Sequence, residues 1–447
     1  MTAGLAITGV ALQQAEALLE LPYESAGTAR AVRSGSSLLL GPITWMDDGA
    51  YERRERLRLE IRSDGWVARM TGIARSGDVP VFVHTHPGGA ARFSRADDDV
   101  DRILGVELER ITGRSEVTSV ILAGTPDNPE VTMRRTINGI VGRPEVVRVA
   151  SPVPRLLLPP GAAHTNAAFD RQDRVYGAAG RRVLNAMTLG IVGAGGTGTP
   201  THEQALRIGV GEVISIDDDI VTDSTPTRGY GTGVSDIGHP KVDVMAQLNE
   251  HIGLGSKITP LRLNVRESGA EDALAACDVI IGCTDGHYSR IVLNRLAYYH
   301  LIPVIDVGVL ISSNANGDVS GIDGRVTVIG PGGPCLICHG RISFEHARAE
   351  SMDPEQRRAL AREGYLPDID EPAPAVITYT TMTSSFAMTT LLHRLFNIGD
   401  NRHSELVVQP GACRIRTNIA RSREGCICSD PTRWGQGFTA PRLGLTS

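Results

Sequence analysis

Two histidines, a serine and an aspartate stand in the run VFVHTHPGGAARFSRADDD, where His84, His86, Ser94 and Asp97 fit the pattern H-x-H-x7-S-x2-D. On a strand, residues two apart point to the same face, so both imidazoles can reach one ion. Asp97 falls in the first turn of a helix that Ser94 could cap, and a carboxylate there can lean back toward the metal. Two His, one Asp and a water make the open tetrahedral arrangement of a catalytic zinc site. Such an ion lowers the pKa of its water to about 7. Each half also has an ordinary reading, since His-x-His occurs on strand surfaces and Ser-x-x-Asp is a common helix cap. Their combination around a Pro-Gly-Gly turn favours the metal. Asp98 and Asp99 adjoin Asp97, and only the spacing picks Asp97.

A second cluster begins at the apolar run Leu189–Val192, which leads into Gly193-Ala194-Gly195-Gly196-Thr197-Gly198. Glycines let the backbone turn tightly and approach phosphates, and the helix that follows offers free N–H groups. One strand later, ISIDDDIV places Asp217 and Asp219 where a carboxylate suits ribose hydroxyls. A dinucleotide is one reading. The adjacent Gly195 and Gly196 depart from the dehydrogenase spacing, however. Arg228 in STPTRG, Lys241 in IGHPKVDV and Asp285 in CTDGHYSR suit a triphosphate with Mg²⁺ better. Such groups stabilise charge as pyrophosphate leaves. Each cation alone would read as a solvated surface residue. Thr201-His202-Glu203 begins like a zinc-helix motif, but position 206 is Leu, so His202 reads as packing.

Seven cysteines include two close pairs, Cys335/Cys338 in GPCLICHG and Cys426/Cys428 in EGCICSD. Four thiolates suit a closed structural zinc site that ties the C-terminal segment to the core. Buried free thiols are the plainer alternative. Cys413 is a substitute ligand or a thioester candidate, and Cys283 reads as core.

The elements that must position these groups follow from pattern. A helix is expected near Leu12–Leu21 and another over Ser94–Thr112. Strands are expected at Ser37–Leu40, Leu57–Ile61, Val79–His84, Val117–Ala123 and Val146–Ala150, giving a mixed α/β unit over residues 1–152. The proline-rich stretch at 153–167 reads as a linker. Beyond it, strands at Leu189–Val192, Glu212–Asp217, Val279–Cys283 and Pro303–Val307 alternate with helical patterns, so 168–447 is expected to form a Rossmann-like, doubly wound sheet. Residues 351–375 read as an exposed, mobile crossover. The 447 residues are 41% hydrophobic and 21% charged, with net charge −6. That balance suits a globular chain and gives no electrostatic reason to expect nucleic acid. No apolar run reaches the length of a membrane span and no leader pattern opens the chain, which points to the cytoplasm.

The first motif set resembles the JAMM/MPN metallopeptidases, which cut after ubiquitin-like C-termini. The resemblance implies His84, His86 and Asp97 as zinc ligands, Ser94 as oxyanion support, and Glu24 in PYESAG as general base. The second set resembles the ubiquitin-activating-enzyme family, in its bacterial ThiF/MoeB branch, over about residues 166–447. It implies ATP bound by Gly193, Gly195, Gly196, Gly198, Asp217 and Asp219, with Arg228 and Lys241 on phosphates and Asp285 on Mg²⁺. Arg171 in FDRQDRVYG matches an arginine lent across a homodimer. The family's NLxRQ segment reads Thr225-Pro226-Thr227-Arg228-Gly229 here, so only its Arg survives.

The expected activity is therefore adenylation of the C-terminal carboxylate of a ubiquitin-like protein, with a fused zinc peptidase that trims or removes it. The cofactors implied are ATP, Mg²⁺ and two Zn²⁺, one catalytic and one structural. The implied partners are a ubiquitin-like or sulfur-carrier protein with a Gly-type C-terminus and a conjugating-enzyme-like acceptor. A sulfur-carrier activator, an activator with a non-catalytic JAMM scaffold, and a nicotinamide oxidoreductase are the alternatives.

Overall fold

A computed structural model describes residues 4–55, 59–63, 66–162, 166–314, 316–363 and 374–440. Two large sheets carry these residues. In the first, the strands run in space as Ile140–Val141, Asn128–Ile137, Glu116–Thr125, Val79–Pro87, Ala26–Ser34, Ser37–Leu40, Leu5–Thr8, Val147–Ala150 and Arg155–Leu157, with Thr44–Trp45 beside Ala26–Ser34. The histidine-bearing strand Val79–Pro87 is central. It pairs antiparallel with Ala26–Ser34 and parallel with Glu116–Thr125. Its Val79, Val81 and Val83 are buried against Leu12 and Ala15 of the helix Gly9–Leu19. His84 and His86 continue the strand beyond that packing. The helices Trp66–Ser76 and Arg95–Thr112 pack on Phe82.

The expected linker is in part a strand, because Arg155–Leu157 pairs antiparallel with Val147–Ala150. Flanking prolines confine it to the sheet edge, where a missing N–H is tolerated. Residues 364–373 of the expected crossover lie outside the described residues, whereas Pro354–Arg362 within it is helical.

The second sheet follows the expected winding. Its order is Lys257–Leu261, Glu212–Ile216, Thr188–Val192, Val279–Gly282, Val304–Ser313, Val319–Ile329, Glu405–Gln409 and Arg414–Asn418. The first five are parallel and the rest antiparallel. The chain order reverses between Thr188–Val192 and Val279–Gly282, the switch point at which open α/β sheets bind ligands. Lys257–Leu261 lies outside the four expected strands. Its sequence KITPL carries a lysine and a proline, which an edge strand accepts.

The two sheets are joined by buried groups. Arg148 is almost fully buried and donates from Nη1 to the Cys277 carbonyl at 2.7 Å and from Nε to the Leu301 carbonyl at 3.1 Å. Ser34 Oγ lies 2.7 Å from His300 Nδ1, and His300 Nε2 lies 3.2 Å from Glu271. Trp434 packs with Ala6, Leu39, Ala150 and Leu301 in a small apolar cluster between the sheets. Among the described residues no helix is long and apolar enough to cross a membrane.

Candidate functional site

At the end of the Val79–Pro87 strand, His84 Nε2 and His86 Nε2 are 3.1 Å apart. His84 Nε2 lies 3.3 Å from Asp97 Oδ1. Ligands about 2.0–2.1 Å from one zinc in a tetrahedron stand roughly 3.3–3.4 Å apart, so the trio fits the ion. His86 Nδ1 faces the Ala90 carbonyl at 3.2 Å. If Nδ1–H donates there, Nε2 is left as a lone pair for a metal. Asp97 is placed by a reciprocal cap in which its N–H donates to Ser94 Oγ and its carboxylate accepts from the Ser94 N–H at 2.6 Å. Burial pushes the Asp97 carboxyl up, but His84 and these Ser94 bonds together outweigh it and hold the group well below the usual carboxylate range. Asp98 instead pairs with Arg134 and Asp99 with Arg102, which leaves Asp97 as the inward carboxylate.

Glu24 is buried with its carboxylate 3.7 Å from His86 Nε2. Burial pushes its carboxyl up to about 7. Arg54 holds this segment, donating from Nε to the Glu24 carbonyl at 2.9 Å and from Nη2 to Ser25 Oγ at 2.6 Å. The Arg54 guanidinium is itself clasped by the rings of Tyr23 and Tyr51.

In the second sheet the glycine loop lies at the switch point. Gly193 has φ +99° and a Cβ there would meet the Cys283 carbonyl at 2.6 Å. A Cβ on Gly198 would stand 1.9 Å from the Gly193 carbonyl, so both positions require glycine. Asp217 Oδ2 accepts the Ala194 N–H at 2.6 Å and Oδ1 accepts the Asp219 N–H at 2.9 Å. Lys241 Nζ reaches Asp219 at 2.6 Å and Asp217 at 3.8 Å. Burial raises the Asp217 carboxyl, against the pull of Lys241. The Arg228 segment is tied to the same loop, since the Tyr230 N–H donates to Thr199 Oγ1 at 2.9 Å. Arg228 Nε is buried and meets no acceptor among the described residues. Asp285 is exposed just past the Val279–Gly282 strand. His202 is packing, as expected, bonded to the Gly198 carbonyl and to Ser215, each at 2.8 Å.

The four cysteines converge. Cys335 Sγ lies 3.3 Å from Cys426 and 3.8 Å from Cys338, and Cys338 lies 3.6 Å from Cys428. Four sulfurs about 2.3 Å from one zinc would stand about 3.8 Å apart, so this set too fits the ion. Hydrogen bonding from Cys335 pulls the Cys428 thiol down, toward the thiolate a metal needs. Cys283 is half-buried against Thr201, desolvation pushes its thiol up to about 12, and Cys413 is exposed.

The ThiF family model matches residues 169–424. The chain belongs to the ThiF family. This ThiF-family chain is 28% identical over 157 residues to the SAMP-activating enzyme E1 of Haloferax volcanii, covering 35% of this chain and 54% of that protein. It is 28% identical over 174 residues to the molybdopterin-synthase adenylyltransferase of Salmonella typhimurium, covering 38% and 64%. The adenylyltransferase and sulfurtransferase UBA4 of Yarrowia lipolytica is 26% identical over 164 residues, covering 36% and 39%. The chain thus spans less than two thirds of the length of each of these relatives. E. coli MccB with N-formylated MccA aligns at 16% identity over 59% of this chain and 75% of that one, with TM-score 0.47.

Of the residues anticipated for the ThiF-family site, Asp217, Asp219 and Lys241 form one bonded group, which takes in the glycine loop through the Ala194 N–H, while the Gly193 N–H donates to the neighbouring Ile216 carbonyl. Arg171 is exposed in the first turn of the helix Asp170–Ala186 and touches none of them. Two further groups escaped the sequence reading. Arg290 pairs with buried Asp306 at 3.0 Å and donates to the Thr284 and Asp285 carbonyls, fixing the segment that carries Asp285. Glu350 accepts the N–H groups of His287 and Tyr288 at the start of the next helix. Glu350 meets its partners more than 60 residues away and Arg290 meets Asp306 on the next strand, so no local motif marks these pairings.

Proposed function

We propose that this chain adenylates the C-terminal carboxylate of a ubiquitin-like or sulfur-carrier protein with Mg·ATP. The observation that carries this reading is the glycine loop at the switch point, bonded to Asp217 and backed by Lys241, with Arg228 Nε buried and without an acceptor among the described residues. A buried guanidinium N–H without a partner suits a phosphate oxygen. The carboxylate oxygen forms a bond to the α-phosphorus as the bond to the β-phosphate oxygen breaks, and pyrophosphate leaves. Lys241 and Arg228 offset the charge that gathers on that leaving group. Asp285 would hold the magnesium, and the cations disfavour a nicotinamide cofactor. Arg171 would act on the nucleotide of a second copy, which makes the working form a homodimer. The Cys335–Cys338–Cys426–Cys428 set would hold a structural zinc.

A fused zinc peptidase is the second part of this reading. His84, His86 and Asp97 would hold the ion, which supplies an activated water. Glu24, 3.7 Å from His86, would take that water's proton, and Ser94 would donate to the oxyanion. The place of Glu24 argues against an inert scaffold. A conjugating-enzyme-like acceptor fits a modification system, whereas a sulfurtransferase as acceptor fits a sulfur-carrier role. The test is ATP–pyrophosphate exchange with a Gly-ended ubiquitin-like protein. Its absence in the presence of that protein contradicts adenylation. ATP binding without NAD binding rejects the oxidoreductase.

A further inference from the structure

The outermost strand of the second sheet, Arg414–Asn418, pairs with Glu405–Gln409 on one side and with nothing among the described residues on the other. All of its residues are exposed. An open edge of this kind is a row of backbone N–H and C=O groups ready to pair with another chain, and proteins usually guard it. The opposite edge of the same sheet, Lys257–Leu261, carries a lysine and a proline. Arg414–Asn418 has no proline, and Ile415 and the adjoining Ile419 are 56% and 72% exposed.

The charge along this edge is one-sided. From Arg414 to Arg423 the sequence RIRTNIARSR holds four arginines and no acid, in a chain whose net charge is −6. Among the described residues the guanidinium groups of Arg414, Arg416, Arg421 and Arg423 form no ion pair or hydrogen bond. Arg414 and Arg416 lie two apart, so they share one face of the strand about 6.8 Å from each other. Carboxylates at alternate positions of an added strand would stand opposite them, and opposite charges across a strand pair are favourable. Two copies of this strand paired about Arg416 would set arginine against arginine, which argues against a second copy as the occupant. Residues 410–425 contain no aromatic side chain on which a base could stack, which argues against single-stranded nucleic acid. We propose that the outer edge of Arg414–Asn418 takes up an extended acidic segment of a partner protein as a further strand, with carboxylates at alternate positions set against Arg414 and Arg416. Such docking requires neither adenylation nor peptidase activity.

Cys413, the exposed thiol next to Arg414, serves as a chemical reporter on the full chain. The probes are the peptide Gly-Thr-Glu-Val-Glu-Val-Thr-amide with a bromoacetyl group at its N-terminus, a form with that group at its C-terminus, and counterparts of both with Lys in place of Glu. A peptide held on the edge brings the bromoacetyl carbon to the Cys413 sulfur, which displaces bromide, and tryptic mass spectrometry locates the adduct. One of the two Glu probes, according to strand direction, is expected to alkylate Cys413 about tenfold faster than its Lys counterpart. The double variant Arg414→Glu, Arg416→Glu should reverse that preference. Charge alone would also draw the peptide near, so the faster probe is remade with N-methyl groups on both glutamates or on both valines. Backbone N–H groups of alternate residues point to the same edge, so strand addition requires one methylated form to lose the rate advantage and the other to keep it. Equal rates for Glu and Lys probes, no effect of the double variant, or equal behaviour of the two methylated forms overturns the proposal. Oligothymidine that protects Cys413 better than an unreactive Glu peptide also overturns it, in favour of a nucleic-acid surface.

Discussion

Arg148 Nη1 and Asp278 Oδ1 lie 3.4 Å apart, both almost fully buried, one on the first sheet and the other at the foot of the second. The same guanidinium donates to the carbonyls of Cys277, His300 and Leu301. Asp278 in turn accepts the Thr188 N–H at 2.9 Å, at the start of the strand that leads to the glycine loop. Removing Arg148 would leave the buried Asp278 carboxylate without this cation and three carbonyls without this donor. Arg148→Ala is therefore expected to cost about 3–5 kcal/mol, read as a fall in the denaturant midpoint. A change within error would mean that water replaces the side chain and that the contact does not hold the halves together.

The cysteine set closes a loop between Cys338 and Cys426 and sits just before Trp434, whose indole donates to the Ile427 carbonyl at 2.8 Å. A Cys426→Ser, Cys428→Ser double variant should lose one zinc per chain by elemental analysis. Limited proteolysis should then cut within residues 420–440, because the segment loses its anchor. Unchanged metal content would reject these ligands.

His202 is buried with both ring nitrogens bonded, and burial lowers its pKa from 6.5 to about 4. The unfolded chain takes up this proton below pH 6.5, and the native chain does not until about pH 4. Stability is thus complete above pH 6.5 and is lost as pH falls toward 4. Between pH 7 and pH 5 this one group should account for about 2 kcal/mol. His202→Gln should flatten the pH dependence of unfolding by that amount, and an unaltered slope would place the proton uptake elsewhere.

How much of this was legible beforehand depends on range. The glycine loop, the strands around 189–192, 212–216 and 279–282, and the two cysteine pairs are local patterns, and they stand where spacing put them. Asp97 was separated from Asp98 and Asp99 by spacing alone, and the partners Arg134 and Arg102 supply the physical reason. The Ala26–Ser34 strand escaped because AGTARAVRS has arginines at 30 and 33 and no clean alternation, although it is buried at seven of nine positions. The Asn128–Ile137 strand was hidden by Pro129 and paired arginines. Arg54 and Arg148 act through partners far along the chain, which no short window of sequence contains.

Glu24→Gln keeps the size and the backbone held by Arg54 but removes the carboxylate. Zinc content is expected to stay at the wild-type level while cleavage of a ubiquitin-like fusion falls by about 10²-fold or more. Retained cleavage would remove Glu24 from the role of base. Loss of zinc together with activity would make it a ligand instead.

The central claim is adenylation, and ATP–pyrophosphate exchange tests it most directly. The full chain is assayed with a Gly-ended ubiquitin-like protein, beside Lys241→Ala and Asp285→Asn. The account predicts exchange that requires the protein partner and Mg²⁺ and that falls by about 10²-fold or more in each variant. Exchange at the wild-type rate in both variants, or none from the wild type with a partner shown to bind, would contradict it.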